Sequence, residues 1–491
     1  MGKTQAFQDL PLAPPRGVTE LWRWLRDELR AAILSGRLKR GTRMPSTRGL
    51  AHQYHCARGT VVTAFQHLRA EGYIESRSGA GTFVALALPD DSLPAKRHSV
   101  PVPNRPSYAR LSQRGRIATE NVIVLPASRT VGKAFRSYEP AIDLFPVDLW
   151  SRIAGRVVRR APRSLYGQGD ARGFAPLRKA IAEYAGSARG VRCDPDQIIV
   201  TAGAQQALDL VTRLLLDPGD AVWMEDPGYP GAAFVLKAAG ARIVPVPVDS
   251  EGIRIDWAQR QKTKARLAYT TPANQFPLGI TMSLPRRLHL LKWAVAEGAW
   301  IVEDEYDAEY RYFGSPVPAL QSLDESGSVI YIGTFTKMLF NSLRLGFAVL
   351  PERIVDAFAA ARSVTDRHAP TLDQAILTEF ILEGHFAHHV RRMRQIYAER
   401  VAFLVEAAKR ELSGRVEVAH AACGMRTIGW IKTGENDVAV AERAASHGLE
   451  VVALSRFARR HIPASGLVLG FAGCAPVELR RGVQVLASVL D

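Results

Sequence analysis

Six short apolar runs dominate the later part of this chain: QIIVTA, DAVWMEDP, ARIVPVPV, ARLAYTTP, AWIVEDEY and SVIYIGTF. Longer stretches with helical spacing, such as QQALDLVTRLLLDPG and LPRRLHLLKWAVAEG, separate them. A strand that is apolar on successive residues leaves no face for water, so it must be covered on both sides. The alternation predicts an α/β domain with a mainly parallel sheet under helices, over residues 138–491. Ligands of such sheets gather beyond the carboxyl ends of the strands.

The conspicuous polar residues fall at those ends. QIIVTA runs into Gly203, Ala204 and Gln205 at the start of a helix, where backbone N–H groups face an anion. DAVWMEDP is followed by Gly228 and Tyr229, a ring able to stack on a flat ligand. ARLAYTTP leads to Asn274, AWIVE to Asp304 and Tyr306, and SVIYIG to Thr334, Thr336, Lys337 and Arg344. An anion cradle, a stacking ring, a carboxylate, a tyrosine and a lysine together suit a phosphorylated aromatic aldehyde. Pyridoxal 5′-phosphate needs all of them. A carboxylate keeps its ring nitrogen protonated, a lysine forms the imine, and donors hold the phosphate.

The segments "YGQGDARGFAPLRKAIAEY", "TAGAQQALDL", "DPGDAVWMEDPGY", "TPANQFPLG", "VEDEYDAEYRY" and "GTFTKMLFNSLRLGF" occur in order. Together they resemble a fold-type I, aspartate aminotransferase-like domain. The resemblance implies that Lys337 is the internal aldimine lysine and that Asp304, or its neighbour Glu303, partners the ring nitrogen. It implies that Tyr306 bonds the ring hydroxyl, that Tyr229 stacks, and that Gly203, Ala204, Gln205, Thr334, Thr336 and Arg344 form the phosphate cup. Two departures stand out. Phe276-Pro277-Leu278-Gly279 replaces the usual Asn-Pro-Thr-Gly, leaving Asn274 or Gln275 as substitutes for the asparagine. Leu467 aligns with the arginine that binds the substrate carboxylate in aminotransferases; Arg456, Arg459 and Arg460 in the preceding loop are alternative cations.

The front of the chain is different in kind. The whole protein carries a net charge of +16, of which residues 1–86 contribute +7 and residues 87–137 contribute +6. A basic front on a near-neutral body suits a polyanion partner or a solubility role. Leu21, Leu25, Leu29 and Ile33 predict one helix. Ser46 is placed to cap a second, and Val61, Val62, Phe65 and Leu68 mark a third that stops at Gly72. YIESRSGAGTFVA reads as two short strands around a glycine-rich turn. That order is a winged helix-turn-helix over residues 17–86. "AILSGRLKRGTRMPSTRGLA" and "RGTVVTAFQHLRAEGYIESRSGAGTFVA" resemble the GntR-type DNA-binding domain. The resemblance implies contacts to double-stranded DNA from Ser46, Arg48, Arg58, Thr60 and the wing at Gly79. Ala57 stands where that family usually has a hydroxyl.

Residues 87–137 hold six prolines and no sustained periodicity, which predicts a basic, structureless linker. The fusion as a whole looks like the MocR subfamily of GntR-type transcriptional regulators. It implies a cytoplasmic homodimer that senses pyridoxal phosphate, or its adduct with an amino compound, through Lys337. The alternatives are a working aminotransferase carrying a DNA-binding domain, and a cofactor-free scaffold. The four cysteines form no CxxC pair and read as reduced core thiols. His385, His388 and His389 have helical spacing but no acidic or thiol residue in step, so no metal is expected. The amino-terminal residues lack the apolar stretch of a signal peptide, and no run is long enough to cross a membrane.

Overall fold

The computed structural model describes residues 20–77, 79–89, 111–120, 133–314, 317–461 and 464–490. The amino-terminal stretch, and the expected linker at 90–110 and 121–132, lie outside the described residues. The chain divides into two compact units, Met1–Tyr108 and Ala109–Asp491.

In the first unit, α1 (Leu21–Leu34), α2 (Thr47–Gln53) and α3 (Arg58–Ala70) precede a hairpin of β1 (Ile74–Arg77) and β2 (Gly81–Val84). Leu25, Leu29 and Ile33 of α1, Leu50 of α2, and Val61, Ala64, Phe65 and Leu68 of α3 form one core with Ile74 and Val84. Leu21 and Val62, expected inward, are only half-buried. They sit at the edge of a stripe whose centre a three-helix core fills first.

The second unit opens with α4 (Gln113–Glu120), inside the segment expected to be structureless. Proline punctuation misled there. Ser112 Oγ accepts from Gly115 N at 3.0 Å, starting the helix, and α4 lies against the later helix Pro230–Ala238. Then follow α5 (Val147–Arg160), α6 (Ala175–Arg189), β3 (Ile198–Thr201), α7 (Ala204–Leu215), β4 (Ala221–Asp226) and α8 (Pro230–Ala238). The remaining strands of the large sheet are β5 (Arg242–Asp249), β6 (Gly252–Ile253), β7 (Ala265–Thr270), β8 (Trp300–Glu305), β9 (Val329–Thr334) and β10 (Gly346–Val349).

All six expected strands are present, in an eight-stranded sheet of order β3-β10-β9-β8-β7-β4-β5-β6. The pairs from β9 through to β5 are parallel, whereas β10 runs antiparallel to both β9 and β3. Inserting β10 demands close approach: a Cβ on Gly346 would lie 2.9 Å from both Gly203 Cα and Gly333 O. A second sheet of four strands, order β11-β12-β14-β13, is built from β11 (Val416–Val418), β12 (Arg426–Ile431), β13 (Val452–Ala453) and β14 (Gly466–Gly470). Helices His385–Glu411 and Pro476–Val489 cover it. Ala134 and Phe135, read as linker, are buried in this unit's core, and Phe135 bridges to Gly470.

Candidate functional site

The carboxyl ends of β3, β4, β7, β8 and β9 bring the expected residues of the second unit together. Gly203 is the N-cap of α7 with φ of 102°, a conformation that favours glycine. Arg344 folds back over it: Nη2 donates to Ala202 O at 2.8 Å, and a Cβ on Gly203 would sit 3.3 Å from that guanidinium. Thr334 Oγ1 accepts from Thr336 N at 3.2 Å, and Thr336 Oγ1 is buried without a partner. The Gln205 side chain is engaged elsewhere. Its Nε2 donates to Gly231 O at 2.9 Å, and its Oε1 accepts from the Tyr229 hydroxyl at 3.4 Å.

The EDEYDAEY segment sorts its acids by the alternation of β8. Glu303 accepts from the backbone N–H of Leu320 at 2.6 Å and of Gln321 at 2.8 Å, which occupies both its oxygens. Glu305 pairs with Arg189 at 3.1 Å. Asp304 lies on the other face of β8: Oδ2 accepts from the Tyr269 hydroxyl at 2.7 Å, and Oδ1 is buried with no partner. Burial pushes the Asp304 carboxyl up to about 6, against the pull of Tyr269. The same carboxylate, after burial itself, helps push the Tyr229 phenol up to about 12.

Lys337 follows β9, and Nζ donates to the backbone carbonyl of Tyr138 at 2.8 Å, with Asn341 Oδ1 at 3.5 Å. Loss of water, and then the nearby Arg426 cation, lower its ammonium to about 8. Tyr306 donates to Asn274 O at 2.6 Å. Asn274 Nδ2 donates to Asp307 Oδ1 at 2.6 Å, and Asn274 Oδ1 is buried without a partner. Gln275, the other substitute for the missing asparagine, is turned away: Nε2 donates to Pro227 O at 2.9 Å, behind the turn held by Glu225. Tyr269, Asp307, the Tyr138 carbonyl and Arg426 were not singled out in the sequence. The first two had a legible signal, lying in ARLAYTTP and EDEYDAEY. The last two had none.

Leu467 is buried in β14 among core side chains. The arginines before β14 are held by their backbone, for Arg459 N and Arg460 N donate to Asp226 at 2.7 and 2.8 Å while the side chains stay exposed. Arg456 pairs with Glu442 at 3.4 Å on the surface. His389 is buried edge-on to Phe145, and burial lowers it to about 4. Among the described residues no cluster of three or more possible ligands could hold a metal ion.

In the first unit, Ser46 Oγ caps α2 by accepting from Gly49 N at 3.0 Å. Arg48 and Arg58 are exposed, and Arg58, the first residue of α3, reaches back to Thr47 Oγ1 at 3.4 Å. Thr60, two residues on, is half-buried. Gly79, with φ of 71°, stands open at the tip of the hairpin, with nothing within 4 Å of a Cβ there. Ala57 supplies no side-chain cap to α3.

An exposed helix start and an open glycine turn in one unit, with polar side chains gathered at the carboxyl ends of parallel strands in the other, fit the class that the sequence matches define, a DNA-binding regulator with an aminotransferase-like domain. Residues 23–84 match the gntR family of bacterial regulatory proteins, and residues 150–429 match aminotransferase class I and II. The chain is 43% identical over 471 residues to "Probable rhizopine catabolism regulatory protein MocR" of Rhizobium meliloti, covering 95% of this chain and 93% of that one. It is 28% identical to the HTH-type pyridoxine biosynthesis transcriptional regulator PdxR of Corynebacterium glutamicum, over 98% of both chains. The second unit resembles the solved α-aminoadipate aminotransferase LysN of Thermus thermophilus, complexed with N-(5′-phosphopyridoxyl)-L-leucine. The TM-score is 0.67 at 29% identity, covering 72% of this chain and 91% of that one. This protein belongs to the MocR-type transcriptional regulators, which join a GntR helix-turn-helix to an aminotransferase-like domain. No helix among the described residues is long and apolar enough to cross a membrane.

Proposed function

We propose that the second unit of this regulator senses pyridoxal phosphate, or its adduct with an amino compound, and passes that state to the winged helix on DNA. The observation that carries the reading is the state of two side chains at the carboxyl ends of β9 and β8, Lys337 and Asp304. One is an amine withdrawn from water; the other is a buried carboxylate with one oxygen unpartnered. Bound there, pyridoxal phosphate would supply a carbonyl that condenses with primary amines and a ring that withdraws electrons. Asp304 Oδ1 would accept from the ring nitrogen, and Tyr229 would flank the ring. The start of α7, Arg344 and the unpaired Thr336 hydroxyl would hold the phosphate. The Lys337 amine would exchange its bond to the Tyr138 carbonyl for the ligand. Because its ammonium is lowered to about 8, the neutral amine grows in population as pH rises through that value. A homodimer, presenting two heads to paired half-sites of double-stranded DNA in the cytoplasm, completes the reading. Ligand then biases a two-state protein, and by linkage DNA biases ligand binding equally.

The test is Lys337→Ala in the full chain. The variant should lose the borohydride-sensitive near-visible absorbance and every ligand-dependent change in operator binding, while ligand-free operator affinity stays at the wild-type level. A normal ligand response in the variant overturns the reading. The likeness to the T. thermophilus aminotransferase favours a second reading, an active aminotransferase carrying a DNA-binding head. Sustained multiple turnovers with a panel of amino and keto acids would establish it.

A further inference from the structure

The cation missing from β14 has a counterpart one strand away. β12 pairs antiparallel with β14, placing Gly429 opposite Leu467 and Arg426 opposite Gly470. Arg426 is 6% exposed. The chain brings it close because Gly424, at φ of 84°, has no side chain: a Cβ there would lie 2.2 Å from Asn274 Nδ2 and 2.8 Å from Asp307 Oδ2. The guanidinium carbon sits 4.3 Å from the ring centre of Phe276 and 4.9 Å from that of Tyr306. Nη2 donates to the Tyr306 hydroxyl. Phe276 in turn packs against Tyr229, the ring expected to flank the cofactor, with ring centres 5.5 Å apart.

The charge on Arg426 is not fully answered within the protein. Asp307 Oδ2 is 3.9 Å from Nη1, beyond hydrogen-bond reach. The Asp307 oxygens already accept from Asn274 Nδ2 at 2.6 Å and Met425 N at 3.2 Å. Arg426 Nε is buried with no acceptor. A buried guanidinium with an unused N–H costs free energy until an anion completes it, and its planar fork matches a carboxylate. Lys337, the amine that would meet the effector, lies within the electrostatic reach of the same guanidinium.

We propose that Arg426 recognises a carboxylate on the amino effector, from β12 rather than β14, so that the regulator answers to amino acids in preference to simple amines. The proposal rests on the sensor reading of Lys337. Full-length protein loaded with pyridoxal phosphate would be titrated with L-alanine, β-alanine and 4-aminobutyrate, and with ethylamine and propylamine, following its near-visible absorbance. At least one amino acid should half-saturate at a concentration roughly tenfold or more below the amine of matching chain length. R426Q should remove that preference, and R426K, which keeps the charge without the fork, should retain part of it. Equal half-saturation by amines and amino acids in the wild type overturns the proposal. So does a response to no amino acid, or a preference that survives in R426Q. Should R426Q fail to fold, the wild-type comparison and R426K decide. Failure to take up the cofactor at all sinks the sensor reading, and this proposal with it, and is distinguished by the absence of any near-visible band.

Discussion

The two units keep their functional groups in opposite surroundings. In the winged helix, Arg48 and Arg58 stand exposed on a small core, and Gly79 offers bare backbone at a hairpin tip. In the aminotransferase-like unit, Asp304 and Arg426 are nearly sealed from water, and each has a polar atom with no partner. An exposed arginine costs nothing to hold in water and gains its energy by displacing counterions from a polyanion, so its contribution fades with salt. A buried, unpaired group already carries a desolvation penalty that a matching ligand relieves, which makes it selective and nearly indifferent to salt. Rapid, adjustable attachment to DNA suits the first arrangement, and discrimination between small molecules suits the second.

The contrast can be broken in several ways. Leu29→Ala removes a fully buried side chain from the core of the first unit and should destabilise it by roughly 2–5 kcal/mol. Denaturation followed separately in the two units should show only the first transition moving. A joint shift would mean that they unfold together. Asp304→Asn keeps shape and discards charge; cofactor affinity should fall roughly 10- to 100-fold, since a charged hydrogen bond becomes a neutral one. Equilibrium dialysis against pyridoxal phosphate checks this, and an unchanged affinity would remove Asp304 from the site. Arg58→Ala should weaken operator binding by roughly 1–3 kcal/mol if the side chain reads a base, leaving cofactor uptake untouched. An unchanged ratio of operator to random-DNA affinity would reduce Arg58 to a phosphate contact.

Much of the architecture was legible in the residues. Runs such as QIIVTA and SVIYIGTF can only be strands covered on both faces, and all six became strands of one sheet. The stripe of Leu25, Leu29 and Ile33 likewise required a helix against a core. These are short-range patterns, set within a few residues by backbone periodicity and the withdrawal of apolar surface from water. They also placed Gly203, Tyr229, Asp304 and Lys337 at or just beyond the carboxyl ends of strands. β10 was not among the strands expected from the sequence, and its direction, reversed against β9, is set by pairing rather than by its own apolar residues. The choice between Glu303 and Asp304 depended on which face of β8 met Leu320 and which met Tyr269. Arg426 is more than 100 residues from Asn274, Phe276 and Tyr306, and nothing in CGMRTIGW marks it. Its position follows from the pairing of β12 with β14 and from the space left at Gly424. Contacts across such distances in sequence are settled by packing, where each side chain's partners are whatever the completed sheets and turns bring within reach.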